Sequence, residues 1–156
     1  MKKLFLTLVV ILGFGIASQA QVSSAIGIRG AFGNRYGAEL SYQQALGSMN
    51  RLELDLGWYN SHDWNNDYVN LTGIYQWVFN ITGGLNWYAG LGANVGMWLN
   101  SNENSIGLGL DAQLGIEYNI PSIPIQISLD ARPQWDFLGA ASGFGYAGAL
   151  GIRYRF

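Results

Sequence analysis

Eight stretches of this chain alternate, residue by residue, between an apolar side chain and a small or polar one. The cleanest lies at 84–100. Leu85, Trp87, Ala89, Leu91, Ala93, Val95, Met97 and Leu99 make one face, and Asn86, Tyr88, Gly90, Gly92, Asn94, Gly96, Trp98 and Asn100 make the other. A period of two is the signature of a β-strand, whose successive side chains point to opposite faces. The pattern recurs at 105–120, 124–137 and 144–156, and less cleanly at 22–32, 36–46, 51–59 and 68–81, where Ile74 and Val78 intrude on the polar side. None of these stretches shows helical spacing. The breaks between them also alternate. Short turns fall at 46–50, 82–83 and 121–124, and polar or small-residue loops at 59–68, 100–105 and 138–143, with a short connection at 33–35 on the loop side. The expected fold is all-β, an eight-stranded antiparallel up-and-down barrel.

Which face points inward decides the environment. A sheet half exposed to water carries charge in quantity on its polar face. Here charged residues are only 12% of the chain, against roughly 25% in an ordinary soluble domain. The polar face is instead rich in glycine, as a face confined to a narrow space would be. The inverted arrangement fits better. A transmembrane strand needs about 9–11 tilted residues, with apolar side chains toward lipid and polar ones toward the lumen. Only a closed barrel can span in this way, because every backbone N–H and C=O must be paired where water is absent. Eight strands enclose a lumen just wide enough for side chains to fill.

The outward aromatics extend the argument. At the loop end stand Phe32, Tyr36, Trp58, Trp135, Phe137, Phe144 and Tyr146. At the turn end stand Tyr42, Tyr75, Trp77, Phe79, Trp87, Tyr118, Tyr154 and Phe156, with aliphatic residues between the two groups. Bilayer interfaces select two such girdles. Residues 1–20 read as a cleaved signal peptide: Lys2 and Lys3, an apolar run of about 14 residues, and small residues at Ser18 and Ala20, too short a run to span a bilayer. The barrel domain then occupies 21–156. The chain has no cysteine, which excludes disulfides, thiolate metal sites and a lipid-modified cysteine after the cleavage site. A net charge of −2 without a basic cluster gives no reason to expect nucleic-acid binding.

The signal peptide, the eight alternating strands and the ending Tyr154-Arg155-Phe156, with Ile152 in phase, resemble the small eight-stranded outer-membrane β-barrel proteins, which include the OmpA transmembrane domain and OmpX-like and OmpW-like proteins. The resemblance covers 21–156 and rests on architecture more than on any single motif. It implies an outer-membrane location in a Gram-negative cell and contact with outer-membrane lipid and lipopolysaccharide. It also implies that the C-terminal strand, through Phe156, is read by the barrel-assembly machinery. The short loops and the lack of a peptidoglycan-binding domain depart from the family and weaken a cell-wall-anchoring role. A monomer is expected, with no cofactor.

The inward faces place Arg29, Glu39, Glu53, Asp55, Asp111, Glu117, Asp130, Arg132, Asp136, Arg153 and Arg155 in the lumen, with Arg51 near a turn. Buried charges must be paired or hydrated, and arginine suits bidentate carboxylate pairing. An internal ion-pair network that plugs the barrel is therefore expected, and a narrow solute path lined by the same groups is its functional rival. Ser61-His62-Asp63 mimics a catalytic triad in sequence, but consecutive residues cannot align nucleophile, base and orienter. His62 is the only histidine, and the loop around it, with Trp64 and Asp67, reads as a solvated loop able at most to touch a surface partner or hold a cation loosely. The functional expectation is a small non-enzymatic outer-membrane protein with a structural or surface-interaction role. The alternatives are a narrow channel or carrier of small solutes or hydrophobic molecules, a lipid A-modifying enzyme, and a soluble periplasmic lipocalin-like barrel with its apolar face inside.

Overall fold

A computed structural model describes residues 23–34, 36–60, 67–99, 106–138 and 142–156. It contains eight strands: β1 (Ser24–Gly33), β2 (Tyr36–Ala45), β3 (Asn50–Asn60), β4 (Asp67–Thr82), β5 (Leu85–Trp98), β6 (Ile106–Asn119), β7 (Ile125–Leu138) and β8 (Gly143–Arg155). They form one closed barrel in chain order. Every neighbouring pair is antiparallel, and β1 closes on β8 with Ala25 opposite Arg155 and Gly33 opposite Ala147. Backbone bonds between Ser24 and Phe156 in both directions seal the seam at the chain end. Closure leaves no unpaired edge, the condition a spanning sheet must meet. The strand bounds fall within one or two residues of those the alternation predicts. The expected signal segment and the 61–66 loop lie outside the described residues.

The alternation also decides the faces, and the apolar one is outside. Ile28, Leu91, Leu110 and Leu150 are exposed, while Arg29, Glu53, Gln76, Asp111 and Arg153 are buried. That is the reverse of a soluble core. A lipocalin-like barrel, apolar inside, is overturned by this polarity.

The wall is uneven in height. β1 and β2 have 10 residues each, and β4 has 16. In the two-residue turn between β4 and β5, Gly83 takes φ 53°, a left-handed value that glycine adopts without steric cost. Pro133 sits within β7, where a missing N–H would break a ladder bond. The pairing of β6 with β7 has its gap there, between Asp111–Gln134 and Leu114–Ala131.

Glycines on the inner face make room for the few large inward side chains. A Cβ at Gly90 or Gly92 would run into Ile74, one at Gly96 into the Tyr68 hydroxyl, and one at Gly115 into the Tyr88 ring. Ile74, which looks like an error in the pattern of β4, is thus a fully buried plug seated over β5 glycines. On the outer face, Phe32 lies across Gly148 and covers backbone that has no side chain of its own.

Both expected aromatic girdles face outward. Trp58, Trp135, Phe137 and Tyr146 are exposed at the loop end, and Trp77, Trp87, Tyr118, Tyr154 and Phe156 at the turn end. Phe79 is half-buried because its ring stacks on Trp87, with centroids 4.5 Å apart.

Candidate functional site

Among the described residues, chemistry-bearing side chains converge in the lumen. Arg29, on β1, pairs with Glu39 of β2, with Asp55 Oδ2 of β3 at 3.0 Å and with Asp130 Oδ1 of β7 at 2.5 Å. Arg132, on β7, reaches across the barrel to Asp55 Oδ2 at 2.5 Å, Glu53 Oε1 at 3.2 Å and Glu39 Oε1 at 3.4 Å. Arg153, on β8, pairs with Glu53 Oε2 at 2.9 Å, and its remaining donors reach the hydroxyls of Ser41 at 2.9 Å and Ser128 at 2.8 Å. Three guanidiniums and four carboxylates thus form one connected band across the middle of the barrel. Planar guanidinium forks suit this, because one arginine can join carboxylates from different strands.

Neutral donors complete the band. Glu53 also accepts from Gln43 Nε2 at 2.5 Å and Gln113 Nε2 at 3.0 Å, and Asp130 accepts from the Tyr88 hydroxyl at 3.0 Å. Tyr59 donates to Glu39. A charge taken out of water needs several such partners, since one ion pair rarely repays its desolvation.

Below the band, toward the turns, Arg51 pairs with Glu117 Oε2 at 2.6 Å and lies over the Tyr88 ring, 4.8 Å from its centroid. Arg51 is buried, which its position beside a turn did not suggest. Arg155 differs from the other predicted lumen arginines. It is half-buried at the turn-end mouth and joins none of the described ion pairs. Its distance from the band follows from its place as the last residue of β8, where the lumen opens.

Above the band, toward the loops, Asp111 and Asp136 are held together by an amide. Asn94 Nδ2 donates to Asp111 Oδ2 at 2.8 Å and to Asp136 Oδ1 at 3.3 Å, and Gln134 Nε2 donates to Asp136 Oδ2 at 3.2 Å. Nearer the rim, Tyr59, Tyr68 and Trp98 form an inward aromatic cluster, Tyr68 and Trp98 having centroids 4.7 Å apart. The alternation places all three rings inside, yet nothing in the sequence announces that they meet.

Two cavities flank the band. The loop-end one, about 260 Å³, is lined by Arg29, Glu39, Tyr59, Asp111, Arg132 and Asp136 among others. Small residues, Gly145, Ala147 and Ala149 of β8 and Ala31 of β1, leave it room along that wall. The turn-end one, about 180 Å³, is lined by Gln43, Arg51, Asn86, Glu117, Gln126 and Arg155 among others. They share no lining residue, and the paired charges stand between them. Among the described residues, no three of His, Cys, Asp and Glu are arranged to hold a metal ion. Ser61, His62 and Asp63 lie outside the described residues.

No protein-family model matches the chain, and no curated protein sequence does. Solved structures do match. The N-terminal β-barrel domain of Pseudomonas aeruginosa OprF superposes with a TM-score of 0.65 at 21% identity, over 88% of this chain and 100% of that one. Neisserial surface protein A gives 0.58 at 14% identity, over 86% and 94%. Ail, the attachment invasion locus protein of Yersinia pestis, gives 0.56 at 18% identity, over 88% and 100%. At these identities the likeness speaks for the fold. The chain is therefore a small eight-stranded antiparallel β-barrel with the fold of outer-membrane barrel proteins.

Proposed function

We propose that this protein spans the outer membrane as a plugged, non-enzymatic barrel, with a structural or surface-interaction role rather than a transport one. The observation that carries the reading is the charged band, which ties β1, β2, β3, β7 and β8 together through buried arginines and separates the two end cavities. A solute path would need those ion pairs to part, and each parting would strand a charge in a confined lumen. The exposed aliphatic belt supports contact with outer-membrane lipid and lipopolysaccharide. The exposed ring of Phe156, 6.5 Å from that of Tyr154, is the feature on which recognition by the barrel-assembly machinery would rest.

The test has two stages. The full chain, expressed with its N-terminal segment, should fractionate with the outer membrane and migrate differently on gels with and without boiling. The purified barrel in planar bilayers should then give flat current traces. Stepwise conductance that Arg132→Ala alters would replace the plugged reading with that of a narrow channel.

A further inference from the structure

Asp111, at the loop end, is handled differently from the acids in the band, and the difference points to a ligand. Asp111 is 3% exposed, yet the buried guanidiniums of Arg29, Arg51, Arg132 and Arg153 are all paired elsewhere. Its only described hydrogen-bond partner is the Asn94 amide, and its Oδ1 has none. Asn94 is 4% exposed, and its own Oδ1 is also without a partner. With its nitrogen between the two carboxylates, the amide leaves a buried acceptor unused, which is costly in a confined interior.

Register makes this a built site. Thr72, Asn94, Gly109 and Asp136 lie side by side on four adjacent strands, all facing inward. Asp111 follows on the same face of β6, two residues beyond Gly109. The glycine keeps the centre open, because a Cβ there would fall on Asp136 Oδ1 and Asn94 Nδ2. Asp111, Asp136 and Thr72 line the loop-end cavity, which gives an entry path and room for coordinating water.

We propose that Asp111, Asp136, Asn94 and Thr72 form a binding site for a hard divalent cation, with Ca²⁺ the natural probe. The donor set is all oxygen, as hard cations require. Half a turn about the Cβ–Cγ bond of Asn94 exchanges its nitrogen for the orphaned oxygen. A cation between the carboxylates then takes over the bridging that the amide now performs and satisfies Asp111 Oδ1 as well. Two carboxylates, one amide and one hydroxyl make a weak site, completed by water, in the range of about 10⁻⁴–10⁻³ M found for extracellular Ca²⁺ modules.

The experiment is Ca²⁺ titration by calorimetry of the full barrel, folded in a non-ionic maltoside that offers the ion no phosphate, with the heat-shift temperature read in parallel. Wild type should bind in that range, and its unfolding temperature should rise with Ca²⁺ by mass action. Asp111→Asn, which keeps the shape, should weaken binding roughly tenfold or more, since losing even a supporting residue behind a ligand costs about 10–100-fold. Asn94→Asp adds a third carboxylate. It should lower the unfolding temperature in chelator, recover it in Ca²⁺ and bind Ca²⁺ more tightly than wild type. A flat wild-type titration, or a Ca²⁺ response that Asp111→Asn leaves unchanged, overturns the proposal. If Asp111→Asn does not fold, an Asn94→Asp barrel whose stability is indifferent to Ca²⁺ overturns it equally.

Discussion

The middle of the lumen and its loop end hold the same kinds of residue and solve the same problem in different ways. In the middle, Glu39, Glu53, Asp55 and Asp130 face Arg29, Arg132 and Arg153, and charge is met by charge. At the loop end, Asp111 faces Asn94, and its charge is met by an amide dipole beside a cavity, with Asp136 bonded to the same amide. The band is connected across five strands, so the loss of one member strands several others. The loop-end cluster spans neighbouring strands and opens toward solvent. Burial alone does not separate the two, for Asp111 is nearly as enclosed as Asp55. The partner does, and with it the consequence of removing a charge.

The largest break in this contrast should come from Glu53. It is fully buried and accepts from Arg132, Arg153, Gln43 and Gln113 at once. Glu53→Ala leaves two guanidiniums short of an anion in a closed space. The expected loss is about 3–5 kcal/mol, the range for breaking a buried pair from one side. Urea unfolding in lipid vesicles, followed by tryptophan fluorescence, measures it. A loss under about 1 kcal/mol would mean that water already carries the charges.

The next effect moves the same chemistry through the wall. Arg132 is tolerated inside because carboxylates surround it. Leu91, halfway along β5 and 61% exposed, meets only lipid in a spanning barrel. Leu91→Arg should cost about 2–4 kcal/mol in bilayers, as for arginine on the lipid face at the midplane. Vesicle unfolding curves beside the wild type give the value. An unaffected stability would place that face in water and undo the membrane reading.

How much of this was legible beforehand follows from the physics of alternation. Period two fixes which side of the wall a residue takes, so Arg29, Glu53 and Asp111 could be placed inside, and Trp58 and Tyr154 outside, without coordinates. It does not fix shear between strands. That is why the pairing of Arg132 with Asp55, residues 77 apart in sequence, had to come from the structure. Arg51 was underrated because proximity to a turn says nothing about which way a long side chain folds. The Tyr88 ring and Glu117 draw it in. Arg155 was overrated for the converse reason: correct parity at the end of a strand leads to the mouth, not the interior. Ile74 looked like noise because its meaning lies on the next strand, in the absence of side chains at Gly90 and Gly92.

The smallest effect is the most discriminating, because one kind of substitution should act differently in the two regions. Asp55→Asn removes the charge that Arg29 and Arg132 share through Oδ2. Charged hydrogen bonds contribute about 1.5–3 kcal/mol each to stability, so a loss of that order is expected. Asp111→Asn removes a charge that no described guanidinium pairs with, and the amide nitrogen it introduces can donate into the adjoining cavity. In chelator its effect should stay within about ±0.5 kcal/mol, as for a change that breaks no network. Paired unfolding curves of the two variants decide the matter. If both are destabilised alike, the loop-end acids belong to the same electrostatic unit as the band, and the division of the lumen drawn from its partners is wrong. If only Asp55→Asn suffers, the barrel is held by its middle, and its loop end is free to serve something other than stability.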